Sequence, residues 1–154
     1  MSDRVVRVVP LAREHAEAIA TWRYADRDAI YDPSSDDLLH ADAGYWALVD
    51  GAGDFVGFCC YGAEARVPGL EDDPDTLDIG VGLRPDLVGR GYGAAVTAAA
   101  LGFAGRWPAR AWRVAVHAWN QRAQRTVQRA GFTATGSVTT ADGRTFAVLE
   151  RPAG

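Results

Sequence analysis

Apolar and polar positions alternate most cleanly between Thr76 and Leu83. Leu77, Ile79, Val81 and Leu83 fall on one face of an extended chain, and Thr76, Asp78, Gly80 and Gly82 on the other. This predicts a strand with one packed face. Two glycines inside a strand weaken it and mark a bulge or a close backbone approach. The second face is therefore expected to lie open, overlooked by Asp78. Upstream, Arg4 to Val9 is a short valine-rich strand ended by Pro10. Ala12 to Tyr24 places Ala16, Ile19, Ala20 and Trp22 near helical spacing and reads as a helix. The polar stretch Asp26 to Ala43 suggests a second short helix carrying Tyr31, Leu38 and Leu39. Tyr45 to Val49 and Phe55 to Tyr61 form a hairpin turned by Asp50-Gly51-Ala52-Gly53-Asp54.

Gly62 to Asp75 reads as a long loop with Pro68-Gly69 and an acidic run. After the Thr76 strand, a glycine-rich turn opens a small-residue helix from Ala94 to Ala104, stopped by Gly105 and Pro108. Trp112 to His117 is a further strand. Asn120 as N-cap and Gly131 just past the end bracket another helix. Phe132 to Val138 and Thr145 to Glu150 close the chain as a hairpin around Asp142-Gly143. The order is βααβββαβαββ. It predicts one α/β (α+β) domain over residues 1–154, a mixed and mostly antiparallel sheet with helices on both faces.

Composition narrows the class without deciding the chemistry. The chain has 154 residues, 48% of them hydrophobic, which suits one compact core. No apolar run is long enough to span a bilayer, and Met1-Ser2-Asp3-Arg4 does not lead into a signal peptide's apolar segment. The only cysteines, Cys59 and Cys60, are adjacent and should point to opposite faces of a strand, which argues against a mutual disulfide. Scattered histidines and the lack of a second cysteine pair argue against a metal site. A reduced, cytoplasmic protein is expected. A net charge of −4 weighs against nucleic acid and is compatible with a cationic substrate.

The candidate chemistry sits in Arg84-Pro85-Asp86-Leu87-Val88-Gly89-Arg90-Gly91-Tyr92-Gly93-Ala94. Glycines at alternate positions strip side chains from a turn at a helix start. Bare N–H groups can then converge on an anion, aided by the positive end of the helix dipole. Arg90 adds a mobile charge. Strand, glycine loop and helix point to a phosphate or pyrophosphate. Gly89-x-Gly91-x-x-Ala94 also fits the dinucleotide fingerprint formally. That reading needs glycines directly after the strand and an acid ending the next strand. Pro85 to Val88 intervene here, and the next strand leads into Ala118-Trp119-Asn120.

Asp78-Ile79-Gly80-x-Gly82-Leu83-x-Pro85 followed by Gly89-Arg90-Gly91-Tyr92-Gly93 resembles the acyl-CoA-binding signature of the GNAT superfamily of N-acetyltransferases. Asn120-Gln121-Arg122-Ala123, ending in Ala130-Gly131-Phe132, resembles that family's second signature at the expected distance downstream. The resemblance runs over roughly residues 4 to 150 and is strongest from 76 to 132.

The resemblance implies acetyl-CoA as cosubstrate, with no metal. Backbone groups from Gly89 through Arg90, Gly91, Tyr92, Gly93 and Ala94 would hold the pyrophosphate. Those of Val81 and Leu83 would pair with the pantetheine amides like an added strand. Two central strands would splay apart around the thioester, with a backbone N–H facing its oxygen. Asn120 would cap its helix and reach the pantetheine arm, or act as a cap alone. Asp78 matches an acidic position seen in many members and is the expected general base, with a structural salt bridge as the alternative. Glu64 and His117 are weaker candidates.

Two positions depart from the family pattern. Val127 stands where many members carry a tyrosine that protonates the leaving thiolate, leaving Thr126, Tyr92 or water as donors. Val88 replaces a common Gln or Arg whose role is largely through the backbone. The acceptor would enter opposite the CoA, past the first helices and the Gly62 to Asp75 loop. Trp22, Tyr24, Tyr31 and Tyr61 could line its path or belong to the core. Glu71, Asp72, Asp73 and Asp75 could attract a cation or form a solvated loop. The expected activity is transfer of an acetyl group to a small-molecule amine or a protein N-terminus by a monomer or homodimer. No nucleic-acid or membrane partner is expected. The rival reading is a non-catalytic acyl-CoA sensor, favoured by Val127.

Overall fold

The computed structural model describes residues 5–22 and 44–154. Seven strands form one sheet in the spatial order β1-β2-β3-β4-β5-β7-β6. They are β1 (Val6–Pro10), β2 (Tyr45–Asp50), β3 (Phe55–Tyr61), β4 (Thr76–Leu83), β5 (Ala111–His117), β6 (Thr133–Thr139) and β7 (Thr145–Pro152). The described helices are α1 (Arg13–Thr21), α2 (Gly93–Ala104) and α3 (Gln121–Arg129). Every neighbouring pair is antiparallel except β4 and β5, which run parallel and are joined through α2. The helix expected between Asp26 and Ala43 lies outside the described residues, as do Tyr24 and Tyr31.

Two apolar clusters flank the sheet. The larger joins Leu48, Cys59, Ile79, Val114 and Leu149 to Val96 and Ala100 of α2, with Val127 of α3 packed against it. The smaller places Ala16, Ile19 and Trp22 against Tyr45, Phe55 and Phe58. Helix α1 stops before Trp22, whose extended backbone (ψ 135°) lets the indole stack on Phe55, 5.2 Å between ring centroids. Strand β1 retains Pro10 opposite Trp46. An edge strand tolerates a proline because its outward N–H needs no partner.

The open glycine face expected on β4 is corrected by the structure. A Cβ on Gly82 would stand 2.2 Å from the Phe58 ring, and one on Gly80 would stand 2.7 Å from Cys60 Sγ. The glycines are there so that β3 side chains can lie flat across β4. On the other face Leu77 and Ile79 are buried as expected, but Val81 is 39% exposed.

Candidate active site

Strands β4 and β5 pair only at Thr76↔Ala111, Leu77↔Trp112 and Asp78↔Arg113. Beyond Asp78 they separate, while β4 stays paired with β3 as far as Leu83 and β5 with β7 as far as His117. The backbone of β4 faces this gap in a defined phase. Arg84 N–H donates to Val56 C=O on β3 at 2.8 Å, and Asp75 C=O accepts from Ala111 N–H on β5 at 3.3 Å. Polar backbone groups alternate edges along a strand, so those of Gly80 and Gly82 address β3. Those of Ile79, Val81 and Leu83 address the gap.

At the C-terminal end of β4 the chain enters the glycine loop. A 3-10 turn, Pro85–Leu87, is followed by Val88 and then by α2 with Tyr92 at its N-cap. Gly89 and Gly91 both take left-handed backbone, at φ 80° and 86°. That conformation is costly for other residues. It turns the loop back toward the first turn of α2, whose leading N–H groups have no intrahelical acceptor. Arg84 anchors the entry. Its guanidinium donates to Asp86 at 2.6 Å and to Phe55 C=O at 2.9 Å. The same hydrogen bonding holds the exposed Asp86 carboxyl below the usual range. Helix α3 closes the other side. A Cβ on Gly89 would meet Arg122 Nη1 at 3.3 Å, and one on Gly93 would meet Thr126 Oγ1 at 3.5 Å. Asn120 caps α3, its Oδ1 accepting from Ala123 N–H at 3.1 Å.

The structure thus brings Val81, Leu83, Gly89, Arg90, Gly91, Tyr92, Gly93, Ala94 and Asn120 to the open ends of β4 and β5. Asp78 sits apart from the loop, at the closed end of the gap. It is 2% exposed, and both carboxylate oxygens are engaged. Arg113 Nε donates to Oδ1 at 2.6 Å, and Arg113 Nη2 and Arg66 Nε both donate to Oδ2 at 3.0 Å. These bonds push the Arg113 guanidinium up from its ordinary value. Arg66 also binds Asp72, and Arg113 binds Glu71 C=O, so the network ties the Gly62 to Asp75 loop to the sheet.

Most other candidates belong to the framework. Tyr61 is buried and donates to Ala100 C=O at 2.6 Å, and Trp22 is core. Asp73 accepts from Asp75 N–H and Thr76 Oγ1, shaping the acidic run from within. His117 is 3% exposed, stacked between Trp119 and Phe146. Glu64 is exposed on the turn Gly62–Ala65. Arg122 and Arg113 were given no role from sequence. An arginine in a polar helix, and one in a strand 35 residues beyond its carboxylate, carry no local signal of their partners. Among the described residues no cluster of His, Cys, Asp or Glu could hold a metal ion, and no helix is long and apolar enough to cross a membrane.

Comparison with known proteins agrees with this geometry. The Acetyltransferase (GNAT) family model matches residues 11–132. The aminoglycoside acetyltransferase AAC(6')-Ib in complex with coenzyme A superposes with a TM-score of 0.75 at 19% identity, covering 96% of this chain and 94% of that one. The same enzyme with paromomycin and acetyl-CoA gives 0.74 at 19% identity, with 96% and 93% covered. A GNAT-family acetyltransferase from Bacillus anthracis gives 0.74 at 12% identity, with 99% and 96% covered. No curated protein sequence matches the chain.

Proposed function

Because the chain belongs to the GNAT acetyltransferase family, we propose that it carries an acetyl group from acetyl-CoA to the nitrogen of a small primary amine. One observation carries this reading. The β4–β5 gap, bordered by the backbone of Val81 and Leu83, runs directly into a left-handed glycine loop at a helix start. A long, thin ligand with a diphosphate at one end fits that shape. Amides of the pantetheine arm would bond the β4 edge as an added strand does. Gly89 to Ala94 would receive the pyrophosphate through backbone N–H groups.

Acetyl-CoA supplies an acyl thioester, so the amine nitrogen bonds the acetyl carbon as the C–S bond breaks and the thiolate departs. A backbone N–H on the β4 edge would face the thioester oxygen, a type of contact worth about 3–4 kcal/mol in acyl transfer. The amine must first lose a proton. A base needs a lone pair turned to the amine, and both oxygens of Asp78 already accept from arginines. We therefore assign Asp78 to positioning and the proton to water beside the thioester. Asn120 holds the start of α3 beside the pantetheine arm. The complex of AAC(6')-Ib with paromomycin supports a small polyamine as acceptor. Two buried free thiols fit a reducing compartment.

Val127 favours a second reading, an acyl-CoA sensor that does not turn over. It packs against the core, and the neighbouring Thr126 hydroxyl donates to Arg122 C=O at 3.0 Å. Thiol release from acetyl-CoA over a panel of amines separates the two readings. Turnover with any amine selects the enzyme, and CoA binding without turnover selects the sensor. Gly91→Glu places a carboxylate in the loop and should abolish CoA binding in a folded protein. Unchanged binding by calorimetry would put the cosubstrate elsewhere.

A further inference from the structure

We infer that Arg122 is a phosphate-binding residue, supplied from α3 across the glycine loop, and that it grips the diphosphate of the acyl carrier. The inference rests on the acetyl-CoA reading and adds a contact from a second element. The glycine loop alone offers an anion bare backbone N–H groups and the mobile charge of Arg90. In the structure its outer side is covered by a guanidinium, with Arg122 Nη1, Cζ and Nη2 lying 3.3, 3.6 and 3.7 Å from where a Gly89 Cβ would be. Thr126, one helical turn further on, meets Gly93 in the same way. Helix α3 therefore lies along the loop.

Three features make Arg122 more than a surface arginine. It is the second residue of α3, in the turn where the helix dipole disfavours a cation and favours an acid. Its guanidinium lies against Gly89, in the loop that opens α2, while Thr126 of α3 meets Gly93 at the α2 start. Two helix starts and a guanidinium thus meet at the loop, whose own carboxylate, Asp86, is committed to Arg84. And Arg122 engages no carboxylate among the described residues, whereas Arg84, at the entry to the same loop, is committed to Asp86 and Phe55. Such a concentration of positive potential is unfavourable alone and is relieved by an anion between loop and helix. A guanidinium's planar fork suits two phosphate oxygens at once. Through Arg122 the bound diphosphate would also hold in place the helix that carries Asn120 and Val127.

CoA carries phosphate in two places, the diphosphate bridge and the ribose 3′-phosphate, and the test separates them. Calorimetry is run with CoA and with dephospho-CoA on the wild type, Arg122→Gln and Arg122→Lys. Arg122 is exposed, and thermal melts verify that the variants fold. Losing a charge-assisted contact of this kind should weaken binding about 10–100-fold. The expected result is an equal loss for both ligands in Arg122→Gln, with partial recovery in Arg122→Lys. A loss confined to CoA would assign Arg122 to the 3′-phosphate and overturn the inference. Wild-type affinity in both variants would overturn it too, leaving the acetyl-CoA reading intact. A wild type that binds neither ligand would remove that reading and this inference together.

Discussion

Asp78 and Arg113 face each other at the last paired position of β4 and β5, and their two-point ion pair stands where the strands part. Backbone pairing ends there, and a buried side-chain bond takes over the join. The pair is inside the protein, with side chains 3% and 10% exposed. Arg66 completes it from the loop above.

Asp78→Asn should therefore act on stability before it acts on chemistry. Removing one partner of a buried pair leaves the other charged and uncompensated, at about 3–5 kcal/mol. Chemical denaturation should show a loss of that size, and turnover per folded molecule should stay close to wild type. The opposite pattern is a stability within about 0.5 kcal/mol of wild type and a rate lower by about 10²–10⁴-fold. It would restore Asp78 as the general base.

Alkaline stability should depend on Cys60. Its side chain is buried beneath Gly80, and burial pushes the thiol up to about 12. In the unfolded chain a thiol titrates near ~8.5. The folded value is the higher one, so the folded state keeps a proton that the unfolded chain loses. Stability is then full below about pH 8.5 and declines from there up to the folded value, by up to about 1.4 kcal/mol per pH unit. Cys60→Ala removes this contribution, so its stability curve should be flatter than wild type between pH 8.5 and 10.5. Urea midpoints at several pH values test this. Parallel curves would show that the thiol is not the titrating group.

Much of the fold was legible because its signals are local. Period-two alternation placed β4 from Thr76 to Leu83 as observed, and the turn Asp50 to Asp54 between two apolar runs placed β3 from Phe55 to Tyr61. Asn120 and Gly131 bracketed α3 through capping preferences that need no tertiary partner. The face of β4 was misjudged because glycine spacing reports close approach without saying what approaches. Here the neighbour is Phe58 of β3, directly paired to Gly82. Asp78 shows the same limit. Its pattern position suggested chemistry, while its partners Arg66 and Arg113 lie on elements whose arrival at β4 only the sheet order reveals.

Val127→Tyr tests the missing acid. The Asn120 cap fixes the phase of α3, and Ala123, Val127 and Ala130 form its half-buried stripe. Val127 and Ala130 pack against the core on the α2 side of the sheet. A valine there gives no proton, so the thiolate must leave unaided or take one from water or from another side chain such as Tyr92. Tyrosine adds a phenol and considerable volume. Overpacking commonly costs about 1–3 kcal/mol, a loss that denaturation will register. If the family's usual acid position is the one occupied here, turnover in the folded variant should hold or rise. CoA affinity should stay within about twofold, since the Gly89–Arg122 contact lies more than one turn away along α3. A crystal structure of the variant with CoA supplies the decisive measurement. A phenol pointing to solvent, away from the sulfur, would show that position 127 is not the acid position and that this chain's proton donor lies on another element.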